Sequence, residues 1–311
     1  MIVDLPNTTV SNISKSLVQI REQGGAVALG RVLTLVIQTD SENAETAIAA
    51  ANAASREHPS RIIVLIDRAE GAEPKLNAEI RVGGDAGASE VVILRPVGEA
   101  ASYPQSLVTG LLLPDAPVVA WWPNAAPEKV SESPIGKIAT RRITDALSQS
   151  DPKAFLKGLS QTYAAGDSDF SWTRLTLWRA QFAALLDQPP YDEIKSVEVV
   201  GDMENPSVLL LGAWFRQQLG CRVVMEHRPD SVGVKAVYMV RLVRDGSSIE
   251  ILRDQSNIAV LSQTNQPPKE LSLPVRSLRD CLAEDLRRLD PDLAFEKVIT
   301  SGLDLLLEEQ K

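Results

Sequence analysis

Two stretches of this chain are apolar at nearly every position, and a run of alanines lies between them. Residues 31–39 read Arg-Val-Leu-Thr-Leu-Val-Ile-Gln-Thr, and residues 61–67 read Arg-Ile-Ile-Val-Leu-Ile-Asp. A strand with no polar face has no side to turn towards water, so both stretches are expected to be covered on two faces. Asp40-Ser41 caps the alanine-rich helix that runs to Arg56, and His58-Pro59 follows it. Strand, helix and strand joined by short connections form a parallel crossover unit, which points to an α/β fold.

The same alternation continues along the chain. Residues 10–23 carry apolar positions at helical spacing after a cap at Asn7 or Thr8, and Gly24-Gly25 ends that helix. Residues 76–82 and 90–95 flank Gly83-Gly84-Asp85-Ala86-Gly87, the pattern of a hairpin at a sheet edge. A helix over 102–113, a strand over 116–122 ending in Trp121-Trp122-Pro123, helical turns over 138–147 and a helix over 152–164 complete the first half. The second half reads as strand 196–200, helix 206–219 and strand 222–227. Three short strands over 236–244, 248–253 and 258–261 follow, with tight turns at Asp245-Gly246 and at Asp254-Gln255-Ser256. Helices over 276–289 and 291–309 close it. At 311 residues there is room for two cores. The expectation is two tandem α/β domains, each a mixed sheet with flanking helices: residues 1–167 and residues 168–311.

Composition excludes several functions. A net charge of -9 argues against a surface that tracks nucleic-acid phosphates. The most apolar region, residues 107–122, is interrupted by Pro114, Asp115 and Pro117, so no membrane span is expected. There is no basic start followed by an apolar run, and Cys221 and Cys281 are the only cysteines. A reducing cytoplasm is therefore expected.

Catalytic vocabulary is thin. His58 and His227 are the only histidines, no serine sits in a Gly-x-Ser-x-Gly turn, and a zinc site at Cys221 and His227 would lack further ligands. Neither apolar strand is followed by the glycine fingerprint of a dinucleotide site: Thr39-Asp40-Ser41 and Asp67-Arg68-Ala69 contain no glycine. No catalytic residue, metal or cofactor is expected.

Recognition features are richer. Residues 169–179, Asp-Phe-Ser-Trp-Thr-Arg-Leu-Thr-Leu-Trp-Arg, hold two of the five tryptophans and two arginines. At about 100° per residue Trp172, Leu175, Trp178, Phe182 and Leu185 share one stripe, with Arg179 inside its edge and Arg174 bordering it. An arginine on an apolar face needs a carboxylate, a phosphate or an aromatic plane. Asp169 or Ser171 is the expected cap, and Pro189-Pro190 closes the helix. Taken alone, the tryptophans read as core, and Arg141-Arg142 reads as a solvated helix face.

Four stretches resemble the glucose-6-phosphate dehydrogenase assembly protein (OpcA) family. They are Arg31-Val32-Leu33-Thr34-Leu35-Val36, Ala116-Pro117-Val118-Val119-Ala120-Trp121-Trp122-Pro123, Arg141-Arg142-Ile143-Thr144-Asp145 and the segment 169–179. The resemblance implies two α/β parts and a non-enzymatic subunit that binds glucose-6-phosphate dehydrogenase. Such a subunit promotes the dehydrogenase's active oligomeric form at the entry of the oxidative pentose phosphate pathway, supporting NADPH supply. Photosynthetic members are linked to redox control through cysteines; Cys221 and Cys281 stand at ordinary core places, so that control is not part of the expectation. Where the family usually has proline, Leu177 stands here, which favours an uninterrupted helix. The candidate cluster is Trp121, Trp122, Arg141, Arg142, Trp172, Arg174, Trp178 and Arg179, either as the dehydrogenase contact or as a domain junction. An alternative is a sugar-phosphate-binding sensor or enzyme, with Arg141, Arg142, Arg174 and Arg179 as an anion clamp between the two domains.

Overall fold

The computed structural model describes residues 1–23, 32–67, 73–83, 90–228, 236–253 and 257–309. The expected helix stop at Gly24-Gly25, the strand start at Arg31, the glycine turn at Gly84 to Gly87 and the turn at 254–256 lie outside them. In chain order the elements are β1 (Ile2–Leu5), α1 (Val10–Gln23), β2 (Leu33–Thr39), α2 (Ala44–Ala54), β3 (Ser60–Ile66), β4 (Lys75–Val82) and β5 (Glu90–Val97). Next come α3 (Pro104–Thr109), β6 (Val118–Trp122), β7 (Arg141–Thr144), α4 (Pro152–Thr162), β8 (Asp167–Asp169), α5 (Phe170–Thr173) and α6 (Thr176–Leu186). Then follow β9 (Ser196–Gly201), α7 (Pro206–Leu219), β10 (Arg222–His227), β11 (Val237–Arg244), β12 (Ser247–Leu252), β13 (Ile258–Gln263) and β14 (Lys269–Ser272). The last are α8 (Leu278–Arg287), α9 (Leu293–Lys297) and α10 (Leu303–Glu309). A π turn, Val298–Gly302, joins α9 to α10.

The elements gather into two compact units, neither continuous in sequence. One comprises residues 1–148, 166–168 and 278–291; the other comprises 149–165, 169–277 and 292–311. Each has its own mixed sheet.

In the first unit the sheet order is β1-β4-β5-β3-β2-β6-β7-β8. The middle run β5-β3-β2-β6-β7 is parallel throughout. Its strands β2, β3 and β5 are apolar on both sides and buried through their centres: Leu35, Val36, Ile37, Ile62, Ile63, Val64, Val91, Val92 and Ile93 are all at 0% exposure. That is why the sequence shows no alternation here. β4 pairs antiparallel with β5, as the hairpin pattern predicts, but β1 adds a further antiparallel strand outside it. The cap of α1 is Thr9, whose Oγ1 accepts from the Asn12 amide at 3.3 Å, and not Asn7 or Thr8.

The expected helical turns around Arg141 are in fact strand β7, fully buried and paired parallel with β6. Two arginines in four residues disguise a buried strand because the carboxylates that neutralise them lie far away in sequence.

In the second unit the order is β10-β9-β11-β12-β13-β14, with β9 and β10 parallel and the other pairs antiparallel. Its strands alternate: Val197, Val199, Val240, Leu242, Ile249 and Ile251 are buried, and the residues between them are half-exposed. Helix α7 lies on the buried face. A Cβ added at Gly201 of β9 would come 3.0 Å from Val208, and one added at Gly212 would come 2.6 Å from Met225 of β10. Glycine at both points lets helix and sheet approach closely. Strand β14, Lys-Glu-Leu-Ser, has no sequence signature because an edge strand can be polar.

Candidate functional site

The eight candidate residues divide between the units, and each set is a closed piece of local chemistry. In the first unit Trp121 and Trp122 end β6 at 0% and 1% exposure. The Trp122 indole N–H donates to Gln38 Oε1 of β2 at 3.1 Å. On the neighbouring β7, Arg141 pairs with Asp285 of α8 and donates to the Asp290 carbonyl at 3.1 Å. Ser168 Oγ donates to the same Asp285 oxygen at 2.7 Å, so this carboxylate is held from two sides. Arg142 pairs with Asp167 and donates to the Ala139 carbonyl at 3.0 Å.

Gly166 makes the Arg142 arrangement possible: at φ +96° it takes a left-handed conformation, and a Cβ there would stand 2.5 Å from the Thr140 carbonyl. A third buried pair, Arg61 with Glu90 at 2.9 Å, joins β3 to β5. Sequence reasoning missed it because each partner looks like a strand-end charge. Buried arginines held by carboxylates in this way are already neutralised and are not poised for an incoming phosphate.

In the second unit the Trp/Arg segment is two helices rather than one. Asp169 caps α5 by accepting from the Ser171 amide at 2.8 Å, as expected. The helix then breaks at Arg174 and Leu175 before α6 begins. The Leu175 amide bonds to the Trp172 carbonyl at 3.0 Å, three residues back, and Thr176 Oγ1 takes the Thr173 carbonyl at 2.9 Å. A threonine hydroxyl that competes for a backbone carbonyl disfavours helix continuation even without the proline.

The apolar stripe is nonetheless buried as a set: Trp172, Leu175, Trp178 and Phe182 are at 2% exposure or less. Trp172 packs against Phe295 with ring centres 5.8 Å apart, and Trp178 stacks on Phe182 at 6.4 Å. The partner for Arg179 is an aromatic plane: its guanidinium sits 3.6 Å from the centre of the Trp172 ring. Arg174 lies 6.0 Å from the Phe170 ring. Sequence reasoning also missed Arg253, which is 3% exposed, donates to the Leu273 and Val237 carbonyls and lies 5.2 Å from the Trp178 ring. Burial pushes its pKa down to about 10.

The geometry also identifies a place where a ligand would be sought. Strand order in the first sheet reverses between β2 and β6, and open α/β sheets bind nucleotides outside the carboxyl ends of strands at such a switch point. Here the turn after β2 is Asp40-Ser41-Glu42-Asn43, and its side chains bond to one another and to Asn124 beyond β6. Asp40 accepts from the Asn43 amide at 2.8 Å and from the Asn43 side chain, and it pairs with the Asn124 amide beyond β6. Asn124 Oδ1 in turn accepts from Thr39 Oγ1 at 2.8 Å.

Burial raises the Asp40 pKa, but the bonds from Asn43 and Asn124 outweigh it and hold the carboxyl below its ordinary value. A dinucleotide needs glycines for close approach and free amides for its pyrophosphate. The turn has no glycine and its Asp40 carboxylate already takes the Asn43 amide, so these residues do not fit the pyrophosphate of a nicotinamide cofactor.

Burial pushes the Cys221 thiol up, and Cys281 is fully buried in α8. Among the described residues no helix is long and apolar enough to cross a membrane.

Fold and site together define a two-unit α/β protein whose first sheet has a glycine-free turn, bonded to Asn124, at its switch point. The chain matches the models for the glucose-6-phosphate dehydrogenase subunit N-terminal domain over residues 51–161 and its C-terminal domain over residues 165–299. It belongs to the glucose-6-phosphate dehydrogenase assembly family. No curated protein matches the sequence.

Among solved structures it is similar to an oxidoreductase from Sinorhizobium meliloti, at 10% identity and TM-score 0.50, covering 89% of this chain and 97% of that one. A Gfo/Idh/MocA family oxidoreductase from Vibrio cholerae matches at 10% identity and TM-score 0.44 over 89% and 97% of the two chains. An inositol dehydrogenase homolog from Azotobacter vinelandii, complexed with NADH and myo-inositol, matches at 9% identity and TM-score 0.46 over 90% and 94%. These likenesses concern the fold alone.

Proposed function

We propose that this chain is a non-catalytic assembly factor and allosteric activator of glucose-6-phosphate dehydrogenase, serving the oxidative pentose phosphate pathway and NADPH supply. The observation that carries the reading is the glycine-free switch point: Asp40, Asn43 and Asn124 bond to one another where a dinucleotide-binding sheet would present glycines and free amides. A switch point without the glycines that a hydride carrier needs favours action through a partner, and the family to which the chain belongs is named for that partner.

Activation follows if the chain binds the active dehydrogenase conformation more tightly than the inactive one, shifting the equilibrium by that difference. A coupling of about 1–3 kcal/mol changes affinity or activity roughly 5–150-fold. Of the eight candidates, the four tryptophans and Arg141 and Arg142 are buried, so their role in this reading is to hold the two units' frameworks rigid.

The test is the dehydrogenase's rate against glucose 6-phosphate, with and without the purified chain, using the enzyme from the same organism. A lowered half-saturation or a raised turnover is expected, with no turnover by the chain alone. An unchanged curve without co-elution of the two proteins overturns the reading.

A further inference from the structure

Backbone pairing in the second sheet lines up one residue from each of its six strands: Glu226, Val200, Met239, Leu252, Val260 and Glu270. All six point away from the face covered by α7. Val200 is buried at 7% exposure, Met239, Leu252 and Val260 are half-exposed, and Ile258 and Val224 on the same face are 42% and 38% exposed. At a strand spacing of about 4.8 Å the four apolar residues make a strip roughly 14 Å long, closed at each end by a carboxylate. Beside it Arg241 lies between Glu198 at 3.0 Å and Glu250 at 2.6 Å, a triad that satisfies itself and leaves one net negative charge. Glu226 and Glu270 are exposed, and neither has an ion-pair partner among the described residues.

An apolar strip on a sheet face that no charge interrupts is the kind of surface that marks a protein interface. Its acidic ends choose the occupant. A second copy laid row on row would set Glu226 against the neighbour's Glu270 at both ends, and such like-charge contacts are penalised at interfaces. A different protein that presents an apolar strip with a lysine or arginine at each end satisfies both the centre and the rim. The family's C-terminal-domain match, residues 165–299, spans all six strands.

We propose that this face is where the dehydrogenase docks, through an apolar strip flanked by basic side chains; the inference rests on the assembly-subunit reading above. The test is calorimetric titration of the dehydrogenase from the same organism into the full chain, with light scattering on each protein alone. Leu252→Asp is expected to weaken binding about 30-fold or more, the scale of a central interface residue. The double variant Glu226→Lys/Glu270→Lys keeps the apolar packing intact, and it should weaken binding about tenfold while flattening its salt dependence. Thermal melting of both variants near the parent's value confirms that the fold is intact.

If the parent chain does not bind the dehydrogenase, the assembly reading itself fails. If the parent binds and both variants bind as tightly, the docking face is overturned and the function stands. A parent chain that is a dimer by light scattering, split by Leu252→Asp, also overturns the assignment by giving the face to a second copy.

Discussion

The first sheet is buried on both faces through its parallel middle, whereas the second alternates buried and half-exposed residues along its central strands β11 and β12. The contrast extends to charge. The first unit buries Arg61, Arg141 and Arg142 against carboxylates, and the second leaves its Glu198–Arg241–Glu250 triad half in water. A sheet with no free face can only be a framework. A sheet with a free face has a surface left over, and the pattern of that surface is open to selection for something other than folding.

The largest effect should come from breaking a buried pair. Asp285→Ala strands the Arg141 guanidinium in the first unit's interior and should cost about 3–5 kcal/mol, read from urea unfolding. Glu250→Ala in the exposed triad should cost about 1 kcal/mol or less in the same assay, and equal losses would break the comparison.

Neighbouring apolar residues give the next test. Ile62→Ala and Ile63→Ala point to opposite faces of β3, and each should lose about 2–5 kcal/mol. In β12, Ile251→Ala should lose a similar amount while adjacent Leu252→Ala loses roughly 1 kcal/mol, since half of its surface benefit is already forgone. Stacking comes lower still. Removing Arg179 from the Trp172 ring by Arg179→Ala should lower stability by about 0.5–2 kcal/mol, measured as a shift in melting temperature.

The smallest effect is acid sensitivity. Hydrogen bonding from Arg81 holds Glu45 below its ordinary 4.5; in Glu79 burial pushes upward, but Arg81 and Arg95 prevail and lower it as well. Groups with lowered folded pKa values contribute stability above their ordinary pKa, and it is lost as pH falls through the folded values. Melting temperature should therefore fall below about pH 4.5. Arg81→Ala should flatten that limb by lowering the melting temperature at neutral pH while leaving the acid value little changed.

Where structure follows from local pattern, it could be read directly. Residues 206–219 and 222–227 are the helix α7 and the strand β10 with the expected bounds, because Asn205-Pro206, the Gly220 stop and an apolar run leave little choice. The parallel strands were legible because continuous apolar runs have one explanation. β7 was not, since Arg141 finds its carboxylate 144 residues away and nothing local announces it. The break at Arg174 was hidden as well, because it depends on which carbonyls Thr173 and Thr176 choose. Of the site, the aromatic stripe and the need of Arg179 for a flat partner were legible. The Asp40–Asn124 contact was not, because it joins the ends of two strands 84 residues apart.

The distance between Arg141 and Asp285 also bears on how the protein is made. A ribosome releases the chain at about 5–20 residues per second, so Asp285 emerges roughly 7 to 30 s after Arg141. During that interval β7 carries a guanidinium whose carboxylate partner has not yet been made. All six strands of the second sheet are synthesised before α8 arrives to complete the first. The first unit, whose strands are made first, therefore cannot close until α8 emerges, and the second unit closes only after it, when α9 and α10 follow.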